Sequence, residues 1–472
     1  MQHYPDFYVD GAWRPATGGK RFSVIDPATE EVEAEVVECS AADVDAAVAA
    51  AVRAFESWAA TPLAVRRAAL ERLHAALMAR TEPFVQALAR EVGVPVAVSR
   101  AMQIPMPLRN LALCIESLDA IDWTENIGNS TVHRVPVGVV AAVTPWNFPL
   151  HQIVAKVMGT LGAGCTTVLK PSEFAPGVAR LFVEAVHEAG IPPGVVNMVW
   201  GGPEVGERLC SHPGIDMISF TGSETVARKI MQVAAPTLKQ LALELGGKSA
   251  AVLLPDADLA AALPAVFRSC MINTGQTCVA QSRLIVPEAL LQQVESRLVQ
   301  LAAAPEWQCG APLEESTRFG PLANRNQFER VNRFIANAQA EGARLLCGGE
   351  GRPAGIERGW FVAPTVFTGV QPQSELAQRE VFGPVLAVLT YTSEDEAVAL
   401  ANATPYGLSG AVWGEADSAA RIARRMRTGQ VSVNGGAQNL AAPFGGFGLS
   451  GHGRENGRFS VEGFLTHQSL QL

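Results

Sequence analysis

The chain reads as an α/β protein built on a largely parallel, helix-covered sheet. Short apolar runs alternate with helical patterns of ten to fifteen residues along most of the 472 residues. Such alternation favours parallel pairing, because consecutive parallel strands need a long crossover, usually a helix. The runs are apolar throughout, as strands buried on both faces are. A hydrophobic share of 48 % supplies a core, and 43 glycines and 30 prolines show no repeating period. Disordered and collagen-like chains are thereby excluded.

Ser40 and Asp43 form a capping pair that opens a helix, with Val44, Ala47, Val48, Ala51, Phe55 and Trp58 at helical spacing behind them. A helical region spans 62 to about 92. Strand candidates follow at 137–143, 166–169, 195–199, 217–220 and 250–254, then at 284–286, 384–389, 409–413 and 431–433. Segment 119–134 is polar and reads as a protruding hairpin. Segment 464–472 alternates and reads as an edge strand.

The balance of 37 basic and 46 acidic residues gives a net charge of −9. No basic block exists to neutralise phosphates, so a nucleic-acid partner is not expected. Arg424, Arg425 and Arg427 read as a solvated helix face. No apolar run reaches ~18 residues, so no membrane partner is expected either. The start of the chain lacks signal-peptide features, and eight cysteines form no CxxC pair. Both point to a reduced, cytoplasmic protein. The eight histidines show no i, i+4 pair, and no metal site is expected. Segment 242–249 approaches a phosphate-cradling P-loop. However, Ala242 replaces its first glycine and Glu244 would repel an anion, which leaves a nucleotide triphosphatase as a weaker alternative.

Seven motifs stand in order along the chain. They are Thr144-Pro145-Trp146-Asn147-Phe148-Pro149, Leu169-Lys170-Pro171-Ser172-Glu173, Phe220-Thr221-Gly222-Ser223, Glu244-Leu245-Gly246-Gly247-Lys248, Gly275-Gln276-Thr277-Cys278, Glu380-Val381-Phe382-Gly383-Pro384 and Pro443-Phe444-Gly445-Gly446. In this order and spacing the chain resembles the NAD(P)-dependent aldehyde dehydrogenase superfamily over nearly its whole length. The resemblance implies a Rossmann-type NAD-binding domain (1–116 and 137–246) and an α/β catalytic domain (247–456). It also implies a small β oligomerisation element (117–136 and 457–472) and a homo-oligomer, dimer or tetramer.

The chemistry agrees with the motifs. Oxidising an aldehyde requires a nucleophile to make the carbonyl carbon tetrahedral before a hydride leaves, and a cysteine thiolate suits this. Seven cysteines lie in or beside apolar patterns, whereas Cys278 lies in a polar, glycine-containing stretch. That contrast favours Cys278 without excluding the others, and the resemblance assigns it. The resemblance likewise assigns the oxyanion donors to the Asn147 amide and the Cys278 N–H. It makes Glu244 the general base, which Leu243 and Leu245 should bury, raising its pKa. A glutamate here favours hydrolysis over acyl transfer to coenzyme A. A CoA-acylating semialdehyde dehydrogenase, or an inactive relative acting as a binding protein, is the alternative.

For the cofactor, the resemblance places Lys170 and Glu173 at the adenosine ribose. A carboxylate there would repel a 2′-phosphate, so NAD is favoured over NADP. Ser223 matches a pyrophosphate contact at a helix N-terminus. Gly202 and Gly206 match glycines that let backbone approach the cofactor, and Glu380 and Phe382 match the nicotinamide end. Thr144, Pro145, Trp146, Ser172, Phe220, Thr221, Gly222, Val226, Leu245 and Gly246 complete the implied set. Lys156 and Glu455 match a proton path behind Glu244. Gln152 and Ala155 are expected to face the substrate's access tunnel. Ala227, Arg379 and Gly448 depart from the family pattern.

Overall fold

The computed structural model describes residues 1–472. Its largest sheet has eight strands. In space they run Gly451–His452, Gln240–Glu244, Met217–Thr221, Val139–Val143, Thr166–Lys170, Val196–Met198, Asp6–Val9 and Ala12–Pro15. The five in the middle are parallel, and all of them but Gln240–Glu244 carry the predicted apolar runs. Their register aligns Glu244 with Thr221, Phe220 with Val143, and Val143 with Lys170. Four motifs therefore begin or end on one carboxyl edge, where open α/β sheets bind ligands.

A second sheet of seven strands runs Arg344–Cys347, Thr365–Thr368, Val385–Tyr391, Arg283–Pro287, Ala250–Leu253, Ser409–Trp413 and Gln430–Val433. All pairs but the outermost are parallel. Strand period sorts its residues onto two cores. Val385, Ala387 and Leu389 face one, and Leu386 and Val388 face the other. The segments just ahead of these strands hold Gly246–Lys248, Cys278 and Glu380–Phe382. The second sheet thus turns its amino edge toward the first sheet's carboxyl edge. The chain crosses between the sheets in the few residues that separate Glu244 from Ala250.

The predicted hairpin is present as Thr124–Ile127 and Ser130–Pro136, and Leu465–Gln471 pairs with it antiparallel from Pro136 to Ser130. The Ser40–Asp43 capping box opens the helix Ala41–Ala59 as expected. The helical region at 62–92 divides into Leu63–Met78 and Thr81–Glu91, interrupted at Ala79 and Arg80. The strand Gln240–Glu244 and the small sheet of Gln2–Tyr4, Val32–Val37 and Arg21–Ile25 are not anticipated by the apolar runs.

Two loops cross where the sheets meet. Asn273, Thr274 and Gly275 all have positive φ, at 53°, 56° and 71°. A Cβ on Gly275 would lie 2.2 Å from the Gly383 carbonyl carbon. Gly275→Ala is accordingly expected to cost at least about 1 kcal/mol through φ alone, with the clash added. A melting temperature lowered by several degrees checks this; an unchanged one would show that the loops do not cross this closely.

Candidate active site

Where the two sheet edges face one another lies a cleft of about 230 Å³. Of its 13 lining residues, only Gln327 and Arg330 lie outside the predicted set. Pro145, Trp146, Asn147, Thr221, Gly222, Ser223, Leu245, Gly246, Cys278, Glu380 and Phe382 supply the rest.

Asn147 stands just ahead of the helix Pro149–Ala163 and is buried. Its carbonyl accepts from Gln103 Nε2 at 3.0 Å and Asn273 Nδ2 at 2.9 Å. Its own Nδ2 donates to the Gln276 carbonyl at 3.0 Å, which aims the amide at the loop that carries Cys278. Cys278 is half-buried, but so are Cys309 and Cys347, so exposure does not single it out. Its place in the cleft does. Burial, with Glu380 and Glu244 adding negative charge, pushes its thiol up to about 12. A thiol in that state needs a base or a change of surroundings to react.

Glu244 ends its strand at 4 % exposure, and neither carboxylate oxygen has a hydrogen-bond partner. Burial holds its carboxyl well above the usual range. Glu455 pushes the same way, and Lys156 and Arg454 oppose. The glycine segment 443–446 lies over it: a Cβ on Gly445 would sit 2.9 Å from Glu244 Oε1. Phe444 exchanges backbone hydrogen bonds with Glu455, whose Oε1 accepts from the fully buried Lys156 Nζ at 3.0 Å. The Lys156–Glu455 pair thus lies near enough to Glu244 for both charges to act on its carboxyl.

Glu380 lies across the cleft. Its Oε1 accepts from the Gly247 N–H at 2.9 Å, and a Cβ on Gly246 would meet its Oε2 at 2.1 Å. A side chain at 246 would push the Glu380 carboxylate aside. Burial raises the Glu380 carboxyl to about 7 against the opposing Gly247 hydrogen bond. Phe382, at φ 60°, packs edge-on against Trp146 with ring centroids 5.5 Å apart. Gln327 Nε2 donates to the carbonyls of Phe382 at 2.6 Å and Val381 at 3.2 Å, and Arg330 donates to those of Val381 and Glu380. These two side chains hold the strap 380–382 in place. No residue pattern announces them, because they act through backbone carbonyls some fifty residues away.

The other predicted cofactor residues lie along the first sheet's carboxyl edge, outside the cleft lining. Lys170 Nζ is 3.9 Å from Glu173 Oε2, and burial lowers its pKa. Ser172 Oγ accepts from the Phe174 N–H at 3.3 Å. Gly202 donates to Glu38 Oε1 at 2.9 Å, which brings an unpredicted carboxylate to this end. Gly206 lies over the Lys170 stem. Thr144 and Thr221 are buried with unpartnered hydroxyls. Phe220 fills the space beneath Gly222. Ser223 caps the helix Glu224–Ala234 by accepting from the Val226 N–H at 3.4 Å, and Val226 itself is exposed.

One expectation is corrected, and one weaker alternative falls away. Ala155 does not face the cleft: at 1 % exposure it packs in the main core, because the helix that carries it is buried on nearly every side. Segment 242–249 is a strand end followed by extended chain, with no helix before Leu259, so it cannot cradle phosphates as a P-loop does. No three His, Cys, Asp or Glu residues gather as metal ligands. No helix is long and apolar enough to cross a membrane.

A family model described as the aldehyde dehydrogenase family matches residues 13–470. A 3-succinoylsemialdehyde-pyridine dehydrogenase from a Pseudomonas species is 44 % identical over 473 residues, covering 100 % of this chain and 99 % of the relative. A mutant of aldehyde dehydrogenase C from Pseudomonas syringae, solved with NAD+ and octanal, superposes with a TM-score of 0.97. It is 44 % identical, over 99 % of this chain and 96 % of that one. A Mycobacterium tuberculosis aldehyde dehydrogenase solved with NAD+ also reaches 0.97, at 40 % identity over 100 % and 99 %. The chain belongs to the aldehyde dehydrogenase family.

The raised thiol pKa has a direct consequence. Below that pKa the thiolate fraction rises about tenfold per pH unit. Alkylation of Cys278 by iodoacetamide in the cofactor-free protein, followed by peptide mass spectrometry, should therefore quicken about tenfold per unit from roughly pH 7 to 9. A rate that levels off below neutrality would mean a thiolate already formed.

Proposed function

We propose that this chain oxidises an aldehyde to the carboxylic acid with NAD, using Cys278 as nucleophile. The observation that carries this reading is the convergence of Cys278 and Asn147 from distant stretches of chain onto one cleft that Leu245 also lines, with the neighbouring Glu244 close enough for its charge to act on the Cys278 thiol. In this reading Cys278 Sγ attacks the carbonyl carbon and Glu244 takes the thiol proton, which the Lys156–Glu455 pair offers a route away from the site. The Asn147 amide and the Cys278 N–H hold the oxyanion; one such donor typically lowers the barrier by ~3–4 kcal/mol. When bound, NAD supplies the hydride acceptor. Cys278 is then left acylated as a thioester. Glu244, again ionised, removes a proton from the attacking water and returns it to the departing thiolate. The acid leaves and the thiol is restored.

The residues fit the cofactor. The unpartnered hydroxyls of Thr144 and Thr221 lie on the sheet edge where its backbone would pass. Glu173, beside Lys170, can accept from both ribose hydroxyls and would repel a 2′-phosphate, which favours NAD over NADP. Ser223 opens a helix end suited to the pyrophosphate. Glu380, Phe382 and Trp146 would receive the nicotinamide end.

The substrate carries, in our reading, a hydrogen-bonding group beyond its aldehyde. Gln103 ends the π-helical turn Ser99–Gln103, Asn110 lies on the helix Pro105–Ser117 that follows it, and Gln152 lies on the helix that follows Asn147. All three are buried. The side-chain oxygens of Gln103 and Gln152, and both polar atoms of Asn110, lack partners. Buried amides are seldom left so, and a polar substrate would satisfy them. The substrate named for the Pseudomonas relative, 3-succinoylsemialdehyde-pyridine, is a candidate. A kcat/KM for it above that for octanal is expected; a clear preference for octanal would refute the polar wall.

Eight free cysteines suit a reducing compartment, and we place the protein in the cytoplasm. We further propose that it self-associates as a dimer or tetramer. Thr124–Ile127 is exposed throughout and Leu465–Gln471 nearly so, and both leave open edges. Light scattering should give two or four times 50.0 kDa; a stable monomer at micromolar concentration would defeat this.

Cys278→Ala should abolish NADH formation while NAD binding stays within about twofold, since the thiol serves chemistry rather than affinity. Glu244→Gln should release about one equivalent of NADH in a burst and accumulate an acyl adduct on Cys278, visible as added mass. Loss of the burst would move Glu244 to thiol activation alone.

A further inference from the structure

The strap that carries Glu380 and Phe382 is tied to the other side of the cleft by an ion pair. Arg379 Nη1 donates to Glu224 Oε1 at 3.1 Å. Glu224 is the first residue of the helix Glu224–Ala234, directly after its cap Ser223. This is the helix end at which the proposed function seats the cofactor's pyrophosphate. Its N–H groups and dipole attract an anion, but Glu224 already sets a carboxylate on that turn. The Glu224 charge is felt by Glu380 across the cleft, and its Oε2 is buried without a partner. Two carboxylates would repel a pyrophosphate in so small a space. Arg379 is the one cation paired with Glu224; Arg228, four residues along the same helix, makes no ion pair with it. The Arg379 side chain is 54 % exposed, so the pair stands at the cleft's rim and within reach of salt.

We infer that Arg379 is a positioning residue for the cofactor: it offsets the Glu224 charge at the pyrophosphate's seat and pins the strap 379–382 to that helix by the same contact. The inference rests on the reading that NAD occupies this cleft. Stated so, it separates two effects that a structural residue would not show together. Removing Arg379 should weaken NAD through Glu224, and removing Glu224 as well should repair most of the loss. Because the effect is electrostatic and at the surface, salt should shrink it.

The test is calorimetric titration of NAD into the wild type, Arg379→Ala, Glu224→Ala and the double variant. Arg379→Ala is expected to raise Kd about tenfold at low salt and about twofold or less at roughly 0.5 M salt. The double variant should return to within about twofold of wild type, and Arg379→Lys should retain most of the affinity. A double variant as weak as Arg379→Ala, or a loss indifferent to salt, would overturn the inference. So would wild-type affinity in Arg379→Ala. Melting temperatures of the four cofactor-free proteins read the pairing without NAD. Additive shifts would mean that the pair is not coupled, and they too would overturn it. Should the wild type bind no NAD at all, the reading beneath fails instead, and the melting cycle still tells the two failures apart.

Discussion

Parallel strands end on one side, and the site follows from that constraint. In the first sheet Glu244, Thr221, Val143 and Lys170 are neighbours because five parallel strands share a register. Whatever each strand leads into must emerge on the same edge. The second sheet meets that edge with the segments that precede its own strands, and so Cys278 and Glu380 arrive opposite Glu244 and Asn147. Neither sheet has a complete set of groups. The chemistry exists only at the seam, which is why the contacts at the seam are tight and rich in glycine. Gly246 yields space to Glu380, Gly275 to Gly383, and Gly445 to Glu244.

The seam gathers negative charge as well. Burial raises the Glu244 and Glu380 carboxyls, with the charge of Glu455 adding to the first and that of Glu224 to the second. Buried carboxylates normally seek donors. Here Glu455 has Lys156 and Glu380 has the Gly247 N–H, while Glu244 has none. An unpaired carboxyl so placed destabilises the fold, and structures tolerate such a cost mainly where function needs it. A raised pKa also makes Glu244 a stronger base once ionised, which suits the role proposed for it.

Much of this was legible in the residues, and what was not has a physical cause. The second sheet's inner strands Ala250–Leu253, Arg283–Pro287, Val385–Tyr391 and Ser409–Trp413 are buried, so apolar runs announce them, whereas the short strands Arg344–Cys347 and Thr365–Thr368 leave no such run. Gln2–Tyr4, Arg21–Ile25 and Val32–Val37 are half exposed and pair across the chain, which leaves no run to see. Gln240–Glu244 is covered on its outer side only by the two-residue strand Gly451–His452; it begins and ends on polar Gln240 and Glu244 and has only three apolar residues between them, so the strand signal is lost. Five of the seven motifs line the cleft, because they lie just after a strand of the first sheet or ahead of one of the second. Ala155 misled because a helix buried all round has no periodicity to say which face meets the cleft.

Gln327 and Arg330 mark a different kind of limit. They bond the carbonyls of residues 380–382, and a carbonyl has the same chemistry whatever side chain it carries. No residue type at 380–382 encodes that partnership; only the fold brings the helix Arg325–Ala340 against the strap. Yet the strap needs them. Phe382 is held at positive φ, a conformation a bulky residue adopts only when its surroundings impose it. The two donors from Gln327 and the Trp146 ring supply that imposition from opposite sides. A site can therefore be read from its motifs while the groups that hold those motifs in their working geometry stay silent until the chain is folded.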